Sequence, residues 1–203
     1  ERFIVFELDN IKDHPILFPV VTIIIMEVFI SKMRKLKGIR KMILIEEAWK
    51  AIAREGMAEY IKYLFKTVRK FFGEAIVVTQ EVEDIISSPV VKQAIINNSD
   101  CKILLDQSKY QNKFDQIQEL LGLTEKEKAQ VLSINKANDP GKKYKEVFIS
   151  LGGMLSKVYR VEVSAEEYLA YTTEETEKFK LMQLAEQFDG NIEKAITHYL
   201  NNK

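Results

Sequence analysis

The chain has 203 residues, of which 46% are hydrophobic, and its 30 basic residues balance its 30 acidic ones. That length suits one domain, or one domain with an appendage. A net charge of zero gives no general argument for binding to nucleic acid or to an anionic membrane, and leaves only a local basic patch as a basis for it. The single cysteine, Cys101, excludes an internal disulfide framework, and with only two histidines it does not make a dedicated four-ligand zinc site. These counts fit a reduced, cytoplasmic setting.

The start of the chain carries no signal peptide. It opens on Glu1, without a methionine, and continues directly into an apolar run, so we expect a piece excised from a longer protein. The longest apolar run, 16–30, contains Pro19 and Glu27. A membrane-spanning helix needs roughly 20 apolar residues, so this run predicts a buried helix instead.

The first half of the chain alternates short apolar runs with helical patterns. The predicted strands are 2–8, 41–46, 75–79 and 101–105. The predicted helices are about 16–36, 48–72 and 82–97. Continuous apolar strands that alternate with helices are typical of a parallel sheet covered on both faces, so we predict an α/β core over residues 1–109.

The second half follows a different pattern. Residues 110–137 predict a helical pair joined at Gly122-Leu123-Thr124, with Thr124 as N-cap and Glu127 completing a capping box. Residues 138–173 predict a loop, 138–143, and a β-hairpin with strands 145–151 and 156–163 around Gly152-Gly153. Residues 174–203 predict a charged helical tail that breaks at Asp189-Gly190-Asn191.

Two acids, Glu46 and Glu47, follow the apolar run Met42-Ile43-Leu44-Ile45. Four apolar residues and then two acids form the Walker B pattern. Ligands of open α/β sheets bind beyond the carboxyl ends of the strands, where one carboxylate can hold the Mg²⁺ of a nucleotide and the next can orient the attacking water. The alternative is that both acids only begin the next helix, whose N-terminus favours negative charge.

Two further residues could complete such a site. Gln80 follows the predicted strand 75–79, where an amide can contact a phosphate oxygen and orient a water molecule; the alternative is an amide that caps a turn. Arg69 lies in Lys66-Thr67-Val68-Arg69-Lys70 and could stabilise the phosphate charge of a neighbouring subunit. The alternative for Arg69 is a solvated basic face on an amphipathic helix.

A phosphate-binding loop is absent from the sequence. Such a loop reads G-x-x-x-x-G-K-[ST], whereas the chain's one Gly-Lys pair, Gly141-Lys142, is followed by Lys143 and lacks the preceding glycine. We therefore expect the 203-residue chain alone to have negligible ATPase activity.

Taken in order, the motifs resemble those of the conjugative-transfer ATPases, which include TraG-type proteins and the large ATPase of type IV secretion systems. The resemblance covers about residues 1–175, and the C-terminal tail of the chain has no counterpart in it. The segments that carry it are Phe3 to Asp9, Ile43 to Trp49, Lys66 to Lys70, Val78 to Gln80, Gly122 to Thr124, Phe148 to Gly153, and Tyr159 to Val161.

The resemblance implies a RecA-like P-loop NTPase core that uses ATP and Mg²⁺ to power DNA transfer or secretion. It implies a homo-oligomeric ring, a hexamer, that works with channel proteins at the cytoplasmic face of the inner membrane. The resemblance also implies roles for single residues. Glu46 would hold the metal and the nucleotide, Glu47 would be catalytic, and Gln80 would sense the phosphate. Arg69 would belong to the family's Arg-Lys motif. The chain departs from the pattern in two ways: many relatives have Asp where Glu46 stands, and the resemblance implies that the phosphate loop precedes Glu1.

Two other functions compete with this one. A non-catalytic interaction module of a secretion or conjugation apparatus would also explain the missing phosphate loop and the charged C-terminal helices. A DNA-gripping translocase has only the basic run 32–41 and the pair Lys142-Lys143 in its favour. Salt-dependent DNA binding would be its signature.

Overall fold

The computed structural model describes residues 2–46, 55–80, 89–136 and 144–202. The side chains of 55–57 and 89–93 lie outside the description. The chain divides into two compact units. The first comprises Glu1–Lys102, Lys113–Leu123 and Leu151–Gly153, and the second comprises Ile103–Asn112, Thr124–Ser150 and Met154–Lys203.

Helix α1, Leu17–Lys35, confirms the first predicted helix. Pro19 lies in its first turn, where a proline costs no helical hydrogen bond, and cations in its last turn suit the helix dipole. One face is buried through Phe18, Met26, Ile30 and Met33, whereas the opposite face is exposed and apolar. No helix in the described ranges is long and apolar enough to cross a membrane.

In the described residues of the first unit, two strands form a parallel pair. Strand β1, Lys41–Glu46, pairs in parallel with β2, Gly73–Val78, from Lys41 opposite Gly73 to Glu46 opposite Val78. Alternate residues of both strands, including Ile43 and Val77, pack on a core of helix side chains. The parallel pairing and the mixture of strands with helices confirm the predicted α/β class.

Helix α2, Glu55–Thr67, crosses between the two strands. It contributes Ile61 and Leu64, both fully buried, to the core against α1. This helix falls within the predicted 48–72, whose first residues, 48–54, lie outside the described part of the chain.

The connection from α2 to β2 is tightly built. A 3₁₀ turn, Val68–Phe71, follows α2, and Phe72 then adopts a left-handed conformation with φ of 58°. A Cβ on Gly73 would lie 2.7 Å from Cγ2 of Val68. Glycine is therefore needed at 73 for close packing. The predicted strand 75–79 begins two residues earlier, at this glycine.

Helix α3, Pro89–Asn98, and strand β3, Cys101–Leu104, confirm the last two predicted elements of the first half. In the described ranges β3 does not extend the parallel pair β1–β2, as one continuous sheet would require. It belongs instead to a three-stranded sheet of order β3-β4-β5. Its alternately exposed residues do not give the continuous apolar face of a buried parallel strand.

The predicted strand 2–8 is also absent, since these residues have no regular structure before a 3₁₀ turn at Asp9–Ile11. Phe3 and Val5 are largely exposed. An apolar alternation gives no strand without a partner for its backbone, and in the described ranges neither sheet includes this segment.

The predicted helical pair is confirmed as α4, Phe114–Leu121, and α5, Glu125–Ser133. Gly122 ends α4 in a left-handed conformation, and Thr124 and Glu127 form the predicted capping box. Glu127 is buried, and its carboxylate also accepts a hydrogen bond of 2.8 Å from the hydroxyl of Ser150. This contact joins α5 to the next strand.

The predicted hairpin is confirmed as β4, Tyr144–Leu151, and β5, Leu155–Glu162. Gly152 and Gly153 both have positive φ in the turn, a conformation that glycine adopts without a steric penalty.

Three helices follow the hairpin: α6, Ala165–Tyr171, α7, Glu175–Glu186, and α8, Ile192–Asn201. Leu169, Leu181 and Ile196 form their shared core. The break between α7 and α8 lies at the predicted position, where Asp189 and Gly190 take positive φ. Helix α6 was not predicted, although Ser164 and Glu167 form a capping box that signals its start.

Candidate functional site

The carboxyl edge of the parallel sheet brings two of the predicted residues to one side of the first unit. Glu46 is the last residue of β1 and lies opposite Val78, the last residue of β2. Gln80 follows two residues later, and both Glu46 and Gln80 are exposed. Parallel strands end at the same edge, so a carboxylate and an amide are available together where α/β proteins bind ligands.

Glu47, the residue with the predicted catalytic role, lies outside the described residues, as does the loop with Gly141-Lys142. In the described ranges no group of three or more His, Cys, Asp or Glu side chains could hold a metal ion. Magnesium bound to a nucleotide does not need such a group. It keeps several waters and takes one or two carboxylates together with phosphate oxygens, so Glu46 at this edge fits a nucleotide-bound Mg²⁺.

Arg69 lies apart from these residues. It belongs to the 3₁₀ turn before β2, at the amino end of the strand whose other end leads to Gln80. Six strand residues span about 20 Å at the usual rise. The Arg69 side chain is 90% exposed and approaches the Asp100 carboxylate at 3.9 Å. The structure therefore does not place Arg69 in one site with Glu46 and Gln80.

The basic run 32–41 is partly engaged within the first unit. Arg34 donates a hydrogen bond of 2.7 Å to the Tyr63 hydroxyl, which raises the pKa of Arg34. Arg40 pairs with Glu74. Lys41 donates to the backbone carbonyls of Met33 and Phe71 at 3.3 Å and 2.8 Å. These contacts hold together the ends of α1, β1 and the turn before β2, which is a structural role.

A polar cluster in the second unit was missed by the sequence reasoning. We call it the Arg160 cluster, and its members are Asp106, Asn135, Tyr144, Glu146 and Arg160. The Arg160 Nε lies 3.5 Å from Glu146 Oε1, and the guanidinium carbon lies 4.5 Å from the centre of the Tyr144 ring. Arg160 lies in the segment Tyr159 to Val161, which carries the family resemblance. Its spacing from Glu146 on two hairpin strands was the available signal.

Comparison with known proteins places the chain in a family context. The whole chain, residues 1–203, matches the TraG P-loop domain family. A search of curated proteins gave no match. Among solved structures the chain is similar to VirB4 of Thermoanaerobacter pseudethanolicus, with a TM-score of 0.55 and 19% sequence identity over 80% of this chain and 42% of that chain. At this identity the likeness is one of fold, and the chain spans less than half of that protein.

Proposed function

This chain belongs to the TraG P-loop domain family, and from that premise we propose that it is part of an ATP-hydrolysing motor that powers conjugative DNA transfer or type IV secretion. The observation that carries the proposal is the parallel register of β1 and β2, which sets Glu46 opposite Val78 and leaves Gln80 just beyond it. A carboxylate and an amide at the ends of adjacent parallel strands are two of the groups that a phosphoryl-transfer site uses.

In this proposal Glu46 holds the nucleotide's Mg²⁺, and its longer side chain, compared with Asp, makes contact through a water feasible. Glu47 accepts the proton of the attacking water, and Gln80 contacts a phosphate oxygen and orients that water. When bound, the metal ion offsets negative charge on the phosphates. The 203 residues contain no phosphate loop, so the chain alone has negligible turnover, and the activity belongs to the intact protein.

The direct test of Glu47 compares ATP turnover by the intact protein with and without Glu47→Gln. A lost general base costs about 10²–10⁴-fold in rate, while the affinity for ATP stays close to that of the parent. Glu59→Gln is the control, because Glu59 is an exposed acid of α2 whose described contacts are two hydrogen bonds from Lys62. Turnover by Glu47→Gln equal to that of the control would reject Glu47 as the catalytic carboxylate.

Arg69 acts in this proposal on the nucleotide of the neighbouring subunit. Its position at the amino end of β2, away from Glu46 and Gln80, supports action between subunits of a homo-oligomeric ring, which we propose to be a hexamer. An arginine supplied by a neighbour can stabilise phosphate charge in the transition state.

Mixing two inactive variants tests whether the protein forms a ring and whether Arg69 acts on the nucleotide of the neighbouring subunit. Arg69→Ala keeps Glu47, and Glu47→Gln keeps Arg69, so a mixed ring contains some interfaces with both groups intact. We expect ATP turnover to return when the two variants of the intact protein are mixed and reassembled. Mixtures no more active than either variant alone would contradict action between subunits.

We also propose that the motor works with channel proteins at the cytoplasmic face of the inner membrane. Recovery of the intact protein in the membrane fraction, and its release by salt, would support a peripheral location. Recovery only in the soluble fraction of cells with the complete transfer apparatus would contradict it.

A non-catalytic interaction module is the second candidate. The three C-terminal helices favour it, because α6, α7 and α8 share a core of their own. ATP turnover by the intact protein that Glu47→Gln abolishes would exclude a purely non-catalytic role.

A further inference from the structure

The guanidinium of Arg160 is held in place on an exposed surface. Its side chain is 66% exposed, yet Nε lies 3.5 Å from the Glu146 carboxylate and the guanidinium carbon lies over the Tyr144 ring at 4.5 Å from its centre. These contacts are made by Nε and by the guanidinium carbon. The terminal Nη atoms carry the donors that suit bidentate binding of an oxyanion.

The carboxylate that anchors Arg160 is itself fixed. The Glu146 side chain is only 12% exposed. Its Oε2 accepts a hydrogen bond of 2.8 Å from the Asn135 backbone N–H, and its own N–H donates to Asn135 Oδ1 at 3.1 Å. Asn135 has a φ of 57°, which asparagine tolerates better than most residues, and its amide donates to Asp106 at 3.3 Å.

The ion pair of Arg69 is much more exposed than that of Arg160 with Glu146. Its ion-pair partner Asp100 is 82% exposed, and the two side chains lie 3.9 Å apart. An exposed pair of that kind orders neither side chain appreciably. Arg160, in contrast, is positioned before any ligand arrives, so less side-chain entropy is lost on binding.

We propose that Arg160 is a preorganised phosphate-binding residue that uses its terminal Nη groups. The phosphate can belong to a nucleotide held by another subunit, an extension that rests on the proposed function, or to the backbone of a transferred nucleic acid. Both present the same tetrahedral oxyanion. Glu146 and Tyr144 are the positioning residues in this proposal, because they contact the guanidinium itself.

The test uses the intact protein with Arg160→Lys, which keeps the charge but loses the planar fork, and with Arg160→Ala. Lys157→Ala is the matched control, since it removes an exposed cation from the same strand. Two readouts are taken: steady-state ATP turnover, and binding of labelled single- and double-stranded DNA oligonucleotides at several salt concentrations.

If Arg160 binds the phosphate of a nucleotide, we expect Arg160→Lys to lower kcat at least tenfold, with KM and DNA affinity unchanged. If Arg160 binds a phosphate of nucleic acid, we expect Arg160→Ala to weaken DNA binding and to leave ATP turnover without DNA unchanged. The slope of log affinity against log salt concentration should then fall in magnitude by about 1. Glu146→Gln should give a smaller loss in the same readout, and it serves as the test variant if Arg160→Ala does not fold. Values within twofold of Lys157→Ala in both readouts would overturn the proposal.

The proposed function can fail separately. An intact parent protein without ATP turnover would contradict the motor, and Arg160 would then be judged by DNA binding alone. Unchanged DNA affinity in Arg160→Ala would in that case overturn the phosphate site as well.

Discussion

Single residues were predictable where their contacts are local in sequence. The Thr124–Glu127 capping box needs only a spacing of three residues, and the sequence predicted it correctly. The hydrogen bond from Ser150 to Glu127 joins residues 23 positions apart. That contact required the fold, because a sequence pattern does not say which distant side chains meet. The ion pair of Arg160 with Glu146 follows from strand pairing in the predicted hairpin, a signal that the sequence reasoning did not use.

Gly73 gives a prediction at this scale. A methyl group there would meet Cγ2 of Val68 at 2.7 Å, with the Val68 carbonyl at 3.2 Å. We expect Gly73→Ala to lower the free energy of unfolding by about 1–3 kcal/mol, as overpacking usually does. Urea denaturation of the chain measures the loss. Val68→Ala should recover part of it in the double variant, and strict additivity of the two changes would argue against this clash.

Whole elements were predicted well where capping, turn residues and apolar spacing agree. Helix α1 lies close to its predicted bounds, α4 and α5 meet at the predicted joint, and α7 and α8 are separated at the predicted break. The hairpin turns at the predicted glycines. Strand 2–8 failed because a strand needs a partner that its own sequence does not supply. Helix α6 was missed because its seven residues are too few to show an apolar period, although Ser164 marked its start.

Helix α7 gives the prediction at this scale. The Glu174 carboxylate accepts hydrogen bonds from the backbone N–H groups of Glu177 and Thr176, and these bonds lower the pKa of Glu174. A lowered pKa in the folded state means that the charged cap stabilises the fold above the ordinary glutamate pKa. This contribution is lost as the pH falls through the lowered value.

Thermal unfolding of the parent and of Glu174→Gln across pH checks this cap. We expect the parent to melt at a higher temperature at neutral pH, because only the parent has a charged cap. The difference should shrink in acid, below the ordinary glutamate pKa. Gln183→Glu, which adds an exposed carboxylate away from the N-terminus of α7, is the control. A difference that is independent of pH would contradict a charge-dependent cap.

At the scale of the whole molecule, the fold class and the family were predictable from the order of the motifs. The parallel pairing of β1 with β2 bears out the α/β class, and the match over residues 1–203 bears out the family. The sheet to which β3 belongs was not predictable, because Cys101–Leu104 is short and suits either sheet. The site residues Glu46, Glu47, Gln80 and Arg69 remain predictions.

The central claim is that Glu46 and Gln80 act in one ATP-hydrolysing site at the carboxyl edge of the β1–β2 pair. Steady-state ATP turnover by the intact protein carrying Glu46→Gln, Gln80→Ala or both tests it most directly. Residues that act as a unit are strongly non-additive. We predict that each single change lowers kcat by at least tenfold and that the double variant is little worse than the poorer single one. Turnover that is unchanged in the single variants, or losses that multiply in the double variant, would contradict a shared site.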